Sequence, residues 1–127
     1  MKTIKIYSRF VSQNGNRCLA MCDSKGNGAI NDLISEVQGG DTIIWKLDNL
    51  SELIPDIEHI TKIEYKSGDK EIFDNGVTQY YKGFKLLTSE NNSGRELKAK
   101  YVIECQLSDN TFVAIDPYIR IPPPPNP

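Results

Sequence analysis

Apolar and polar side chains alternate along this chain with a period of two, and turn chemistry interrupts them every few residues. That pattern constrains the fold more than any other feature. In the clearest case Tyr101, Ile103, Cys105 and Leu107 alternate with Lys100, Glu104 and Gln106. A strand sends successive side chains to opposite faces, so such a segment has one face to bury and one to wet. Met1–Val11 repeats the pattern, with Ile4, Ile6 and Phe10 on one face and Lys5, Tyr7 and Arg9 on the other. Thr61, Ile63 and Tyr65 alternate with Lys62, Glu64 and Lys66. Arg17–Cys22, Tyr80–Leu87, Thr111–Ile115, Tyr118–Ile121 and the short Glu71-Ile72-Phe73 also read as strands. Between them lie turn clusters such as Gln13-Asn14-Gly15-Asn16, Asp23–Gly28, Ser67-Gly68-Asp69, Asp74-Asn75-Gly76, Ser89–Gly94 and Ser108-Asp109-Asn110. Gly, Asn and Asp tolerate the positive φ that tight reversals need. Leu33–Val37, Gly39-Gly40-Asp41 and Thr42–Leu47 therefore read as strand, turn, strand.

One segment has helical spacing: Leu47, Leu50, Leu53, Ile54, Ile57 and Ile60. Pro55 interrupts it, deleting a hydrogen bond and clashing with the preceding turn at roughly 3 kcal/mol. The expectation is at most one short helical turn near 48–56. The fold class is then all-β, a single antiparallel β-sandwich of about seven to nine short strands.

Length and charge set the remaining bounds. At 127 residues the chain suits one domain, and a hydrophobic core of that size needs no disulfide or metal staple. Five of its seven prolines fall in the last six residues, so the reading is a domain over 1–121 and a Pro-rich tail over 122–127. Fifteen Lys and Arg against 17 Asp and Glu give a net charge of −2, which supplies no basic field for nucleic acid or an anionic membrane. The first nine residues are charged throughout and lack an apolar signal core, and no apolar run reaches spanning length. A cytoplasmic protein is expected.

Three segments carry a family likeness: Met21-Cys22-Asp23-Ser24-Lys25-Gly26, Gly40-Asp41-Thr42-Ile43-Ile44-Trp45 and Asp116-Pro117-Tyr118-Ile119-Arg120-Ile121. Ile60-Thr61-Lys62-Ile63 with Gly68 and Ile72-Phe73, then Gly94-Arg95-Glu96 ahead of the Tyr101 strand, fit the same order. Together these resemble the AidA/PixA inclusion-body family of bacterial proteins over most of residues 18–121. The resemblance implies a jelly-roll-like or cupredoxin-like β-sandwich that is not an enzyme and can accumulate as self-assembled protein. Some relatives have been linked to sugar binding. No individual ligand-contacting residue carries over from it.

The residues that chemistry would need are sparse. A blue-copper site requires two His and a Cys, and His59 is the chain's one histidine. Zinc has enough ligands by count in Cys18, Cys22, Cys105 and His59. However, Cys18 and Cys22 stand four apart on a strand, about 13 Å end to end, too far to share an ion. Three cysteines without a signal sequence read as reduced thiols, small apolar residues packed inward. A Cys–His pair or a Ser triad would both depend on His59, and no Gly-x-Ser-x-Gly elbow is present. Asp69, Glu71 and Asp74 lack the ligand order of a calcium loop. Gly39-Gly40 lacks the Lys and following helix of a phosphate cradle. Neither a cofactor nor a metal is expected.

Aromatic residues remain. Tyr80, Tyr81 and Trp45, with Tyr65 and Tyr118, offer flat faces of the kind sugars stack on. Trp45 follows Gly40-Asp41, where a large ring fills the core. In a continuous strand Tyr80 and Tyr81 point to opposite faces, so one ring should be outward. The functional expectation is a non-catalytic binding or assembly module, self-associating or adaptor-like, with a homo-oligomer or protein partner. The alternative is a small carbohydrate-binding, lectin-like domain, and a Cys-dependent enzyme is a distant third.

Overall fold

In the computed structural model the described residues are 2–30, 32–47, 57–81 and 83–124. Among them eleven strands form two sheets, and the helical content is one 3-10 turn over Lys70–Phe73. The six-stranded sheet holds β1 (Thr3–Gln13), β2 (Asn16–Asp23), β3 (Gly28–Ile30), β5 (Thr42–Leu47), β7 (Thr78–Tyr80) and β8 (Gly83–Leu87), in the order β3-β2-β1-β5-β8-β7. In the second sheet β9 (Leu97–Leu107) is central. It pairs with β6 (Ile57–Gly68), β10 (Phe112–Ile115) and β11 (Tyr118–Ile121), and β4 (Ile34–Glu36) lies beyond β11.

The all-β reading holds. The alternation read from sequence places Tyr101, Ile103, Cys105 and Leu107 inward along β9, and Leu97 and Ala99 extend that face, opposite Ile4, Ile6, Ile43 and Trp45 of the other sheet in one core. Two polar ties join the sheets. The Trp45 indole N–H donates to the Tyr101 hydroxyl at 3.0 Å. Buried Asp23, at the end of β2, accepts from Ser35 Oγ of β4 at 3.1 Å, and from the backbone N–H groups of Lys25 and Asn27. A buried carboxylate is tolerable when its lone pairs are filled in this way.

The finer expectations need correction. Neither sheet is purely antiparallel: β1 runs parallel to β5, and β4 parallel to β11. Parallel neighbours need a crossover, and the chain supplies one by changing sheets. Leu33–Leu47 is thus no hairpin. Gly40, at φ 88°, makes the expected reversal, but β4 and β5 on its two sides belong to different sheets. The strand count exceeds the expected range because the three-residue β3 abuts the turn cluster over Asp23–Gly28 and because the expected Tyr80–Leu87 strand divides between β7 and β8. Glu71-Ile72-Phe73 lies in the 3-10 turn, which drives Ile72 into the core. Cys22 is exposed, whereas Cys18 and Cys105 are buried as expected. The proposed helical turn near 48–56 lies outside the described residues.

Candidate binding site

The hairpin formed by β7 and β8 pairs Thr78 with Lys85, Gln79 with Phe84 and Tyr80 with Gly83. That register makes Tyr80 the last residue of one strand and Gly83 the first of the next, so Tyr80–Leu87 is not one continuous strand. Glycine at 83 has a local cause: a Cβ there would run into the Trp45 carbonyl oxygen. The start of β8 therefore lies directly on the β5 backbone, which fixes where the loop emerges.

Tight hairpin reversals favour positive φ, because the twist of such turns matches that of the strands. Tyr81 adopts φ 52°, a region that costs a non-glycine residue roughly 1–2 kcal/mol. Its side chain is 89% exposed. The turn reverses the direction expected of a strand, so the two tyrosine rings meet edge to face, 4.7 Å between centroids at 84°, rather than pointing apart. Lys85 Nζ stands 5.1 Å from the Tyr80 centroid, a cation–π distance. β7 is the last strand of its sheet, so its outer backbone edge faces away from β8. Together these make a protruding aromatic pair beside a strand edge.

Trp45 presents no ring face to solvent. It is fully buried, tilted 64° against Tyr101 at 5.4 Å. Tyr101 is equally buried, and loss of hydration raises its phenol above the ordinary range. Burial also pushes the Cys105 thiol up to about 12, with Glu104 adding repulsion, so Cys105 has neither access nor thiolate. Among the described residues no three His, Cys, Asp or Glu side chains gather as a metal site. No helix among them is long and apolar enough to cross a membrane.

An open depression of about 400 Å³ lies between Asn91, Asn92, Gly94, Pro123 and Pro124. Its most buried polar side chain is already committed. Asn91 Nδ2 donates to the carbonyls of Arg95 and Ile121, and Oδ1 accepts from Ser93 N–H and Oγ. That amide straps a loop to the end of β11 and has no bond left for a ligand.

Sequence reasoning singled out Tyr80 and Tyr81 but not Lys85, whose approach to the Tyr80 ring depends on the cross-strand register. The backbone state of Tyr81 had no signal, since no Asn-Gly or Asp-Gly pair stands there to announce such a turn. No family model matches this chain, and no curated protein matches it.

Proposed function

We propose that the protein is a non-catalytic binding and assembly module that self-associates or acts as an adaptor through the Tyr80–Tyr81 hairpin. One observation carries this reading. A bulky aromatic side chain occupies a strained backbone position at the tip of an edge hairpin while burying almost nothing of itself. Asn or Gly would fill that position at lower cost, so the ring is accounted for by what it contacts outside the fold. The adjoining edge carries Thr78, Gln79 and Tyr80, with no charge on β7 to oppose pairing with another strand. The proposal extends to membership of the AidA/PixA family, with a cupredoxin-like sandwich and a place in the bacterial cytoplasm, on the motif order given above.

Light scattering across 10 to 100 µM, roughly the range in which weak edge contacts populate, tests the reading. Species larger than a monomer are expected, and Tyr81→Asn should abolish them. A monomeric wild type throughout overturns self-association. A second reading, carbohydrate binding, is favoured by the open face of the Tyr81 ring, which suits stacking on a pyranose. A glycan array with wild type and Tyr81→Asn separates the two.

A further inference from the structure

The outer face of the second sheet carries an ionic imbalance. Lys62 lies 3.6 Å from Glu64, Lys66 2.7 Å from Asp116, and Arg120 2.6 Å from Glu36 and 3.6 Å from Glu96. Every lysine or arginine of this sheet's described strands thus has a carboxylate, except two. Lys98 and Lys100 stand two apart on the wet face of β9, and neither has a carboxylate within ion-pair distance among the described residues. Instead both ammoniums approach one ring, at 4.7 Å and 5.2 Å from the Tyr118 centroid. The register adds a third cation, because Lys98 sits directly opposite Arg120, and like charges in that relation destabilise a sheet. Tyr118 is in turn opposite Ile34 of the edge strand β4, and Ile34 is 44% exposed. The result is an apolar pair, Tyr118 and Ile34, flanked on one side by two uncompensated ammoniums.

We propose that this face docks an acidic peptide segment of a partner protein, one that sets an apolar side chain on Tyr118 and Ile34 and carboxylates against Lys98 and Lys100. Charge complementarity selects that occupant. The two ammoniums accept two carboxylates, and the apolar pair takes a side chain between them. A polyphosphate chain would meet the ammoniums but has no apolar group to set on Tyr118 and Ile34, so it leaves that half of the patch unfilled. The surface belongs to a different sheet from the Tyr80–Tyr81 hairpin and does not depend on the self-association reading.

The test is a titration of ¹⁵N-labelled protein with the probe Ac-Glu-Glu-Leu-Glu-Glu-amide at low salt. Amide shifts are expected around Lys98, Lys100, Tyr118 and Ile34, with affinity falling several-fold as salt approaches about 0.15 M, where the Debye length is about 8 Å. The double variant Lys98→Gln, Lys100→Gln should weaken binding at least about tenfold, the loss of roughly two weak charge contacts. Its amide spectrum away from Lys98, Lys100 and Tyr118 should match that of the wild type, so that the lost binding is not a loss of fold. Lys62→Gln should bind as wild type does. Equal binding of Ac-Gln-Gln-Leu-Gln-Gln-amide, no shift at millimolar peptide, or tighter binding of a thymidine oligonucleotide to the same residues would each overturn the proposal.

Discussion

Ser8 is 1% exposed on the inward face of β1, in line with Ile4 and Ile6, and its hydroxyl has no hydrogen-bond partner among the described residues. An unpaired buried hydroxyl costs about 1–3 kcal/mol. Ser8→Ala is expected to raise unfolding stability by about 1 kcal/mol, after allowing for the small space left behind; urea denaturation measures it, and a loss of stability would mean that the hydroxyl has a partner. Tyr81 poses the same kind of question with function on the other side. Tyr81→Asn relieves the positive φ and should stabilise the fold by about 0.5–1 kcal/mol. The same change should remove self-association. Opposite signs in the two measurements mark a residue kept for contact, whereas a drop in both would mark Tyr81 as structural.

The paired strands β6 and β9 are clamped at one end by charge. Asp69 follows Gly68, the last residue of β6, and accepts from both terminal nitrogens of Arg95, at 2.8 and 3.2 Å, and from the Lys98 backbone N–H at 2.9 Å. The Arg95 guanidinium and that backbone bond lower the Asp69 carboxyl to about 2. A carboxyl that is more acidic in the folded state adds stability above its ordinary value near 4, and that stability is lost as pH falls through about 2. Unfolding of the wild type should therefore show a descending limb between about pH 4 and 2 that is shallower in Asp69→Asn. Identical limbs would mean that the clamp holds no more tightly than a solvated surface pair. Arg95 is largely exposed, so salt should weaken the effect. The hairpin of β7 and β8 is held in another way, by the backbone approach at Gly83.

At the scale of the molecule, the two sheets share one core, and the chain crosses between them rather than completing one before starting the other. The last strand ends at Ile121, whose carbonyl accepts from Asn91, and Pro123 and Pro124 beyond it are exposed. Removing residues 122–127 should leave that bond in place and move the thermal midpoint by at most a degree or two. A drop of about 5 °C, on the order of 1 kcal/mol for a domain of this size, would show that the prolines contribute packing. By itself the sequence determined which side chains along β9 face inward, where the chain turns at Gly40, Gly68 and Gly76, and that Trp45 fills the core. Those properties follow from the two-residue period of a strand and from which residues tolerate positive φ, both of which are local. Only the tertiary structure decided that β4 and β5 part company at Gly40, that β1 and β5 run parallel, and that Tyr81 turns back onto Tyr80. It also decided that Lys98 and Lys100 meet Tyr118 without a carboxylate. Pairing partners are chosen by hydrogen bonds between segments far apart in sequence, and the same turn chemistry serves a hairpin or a crossing between sheets.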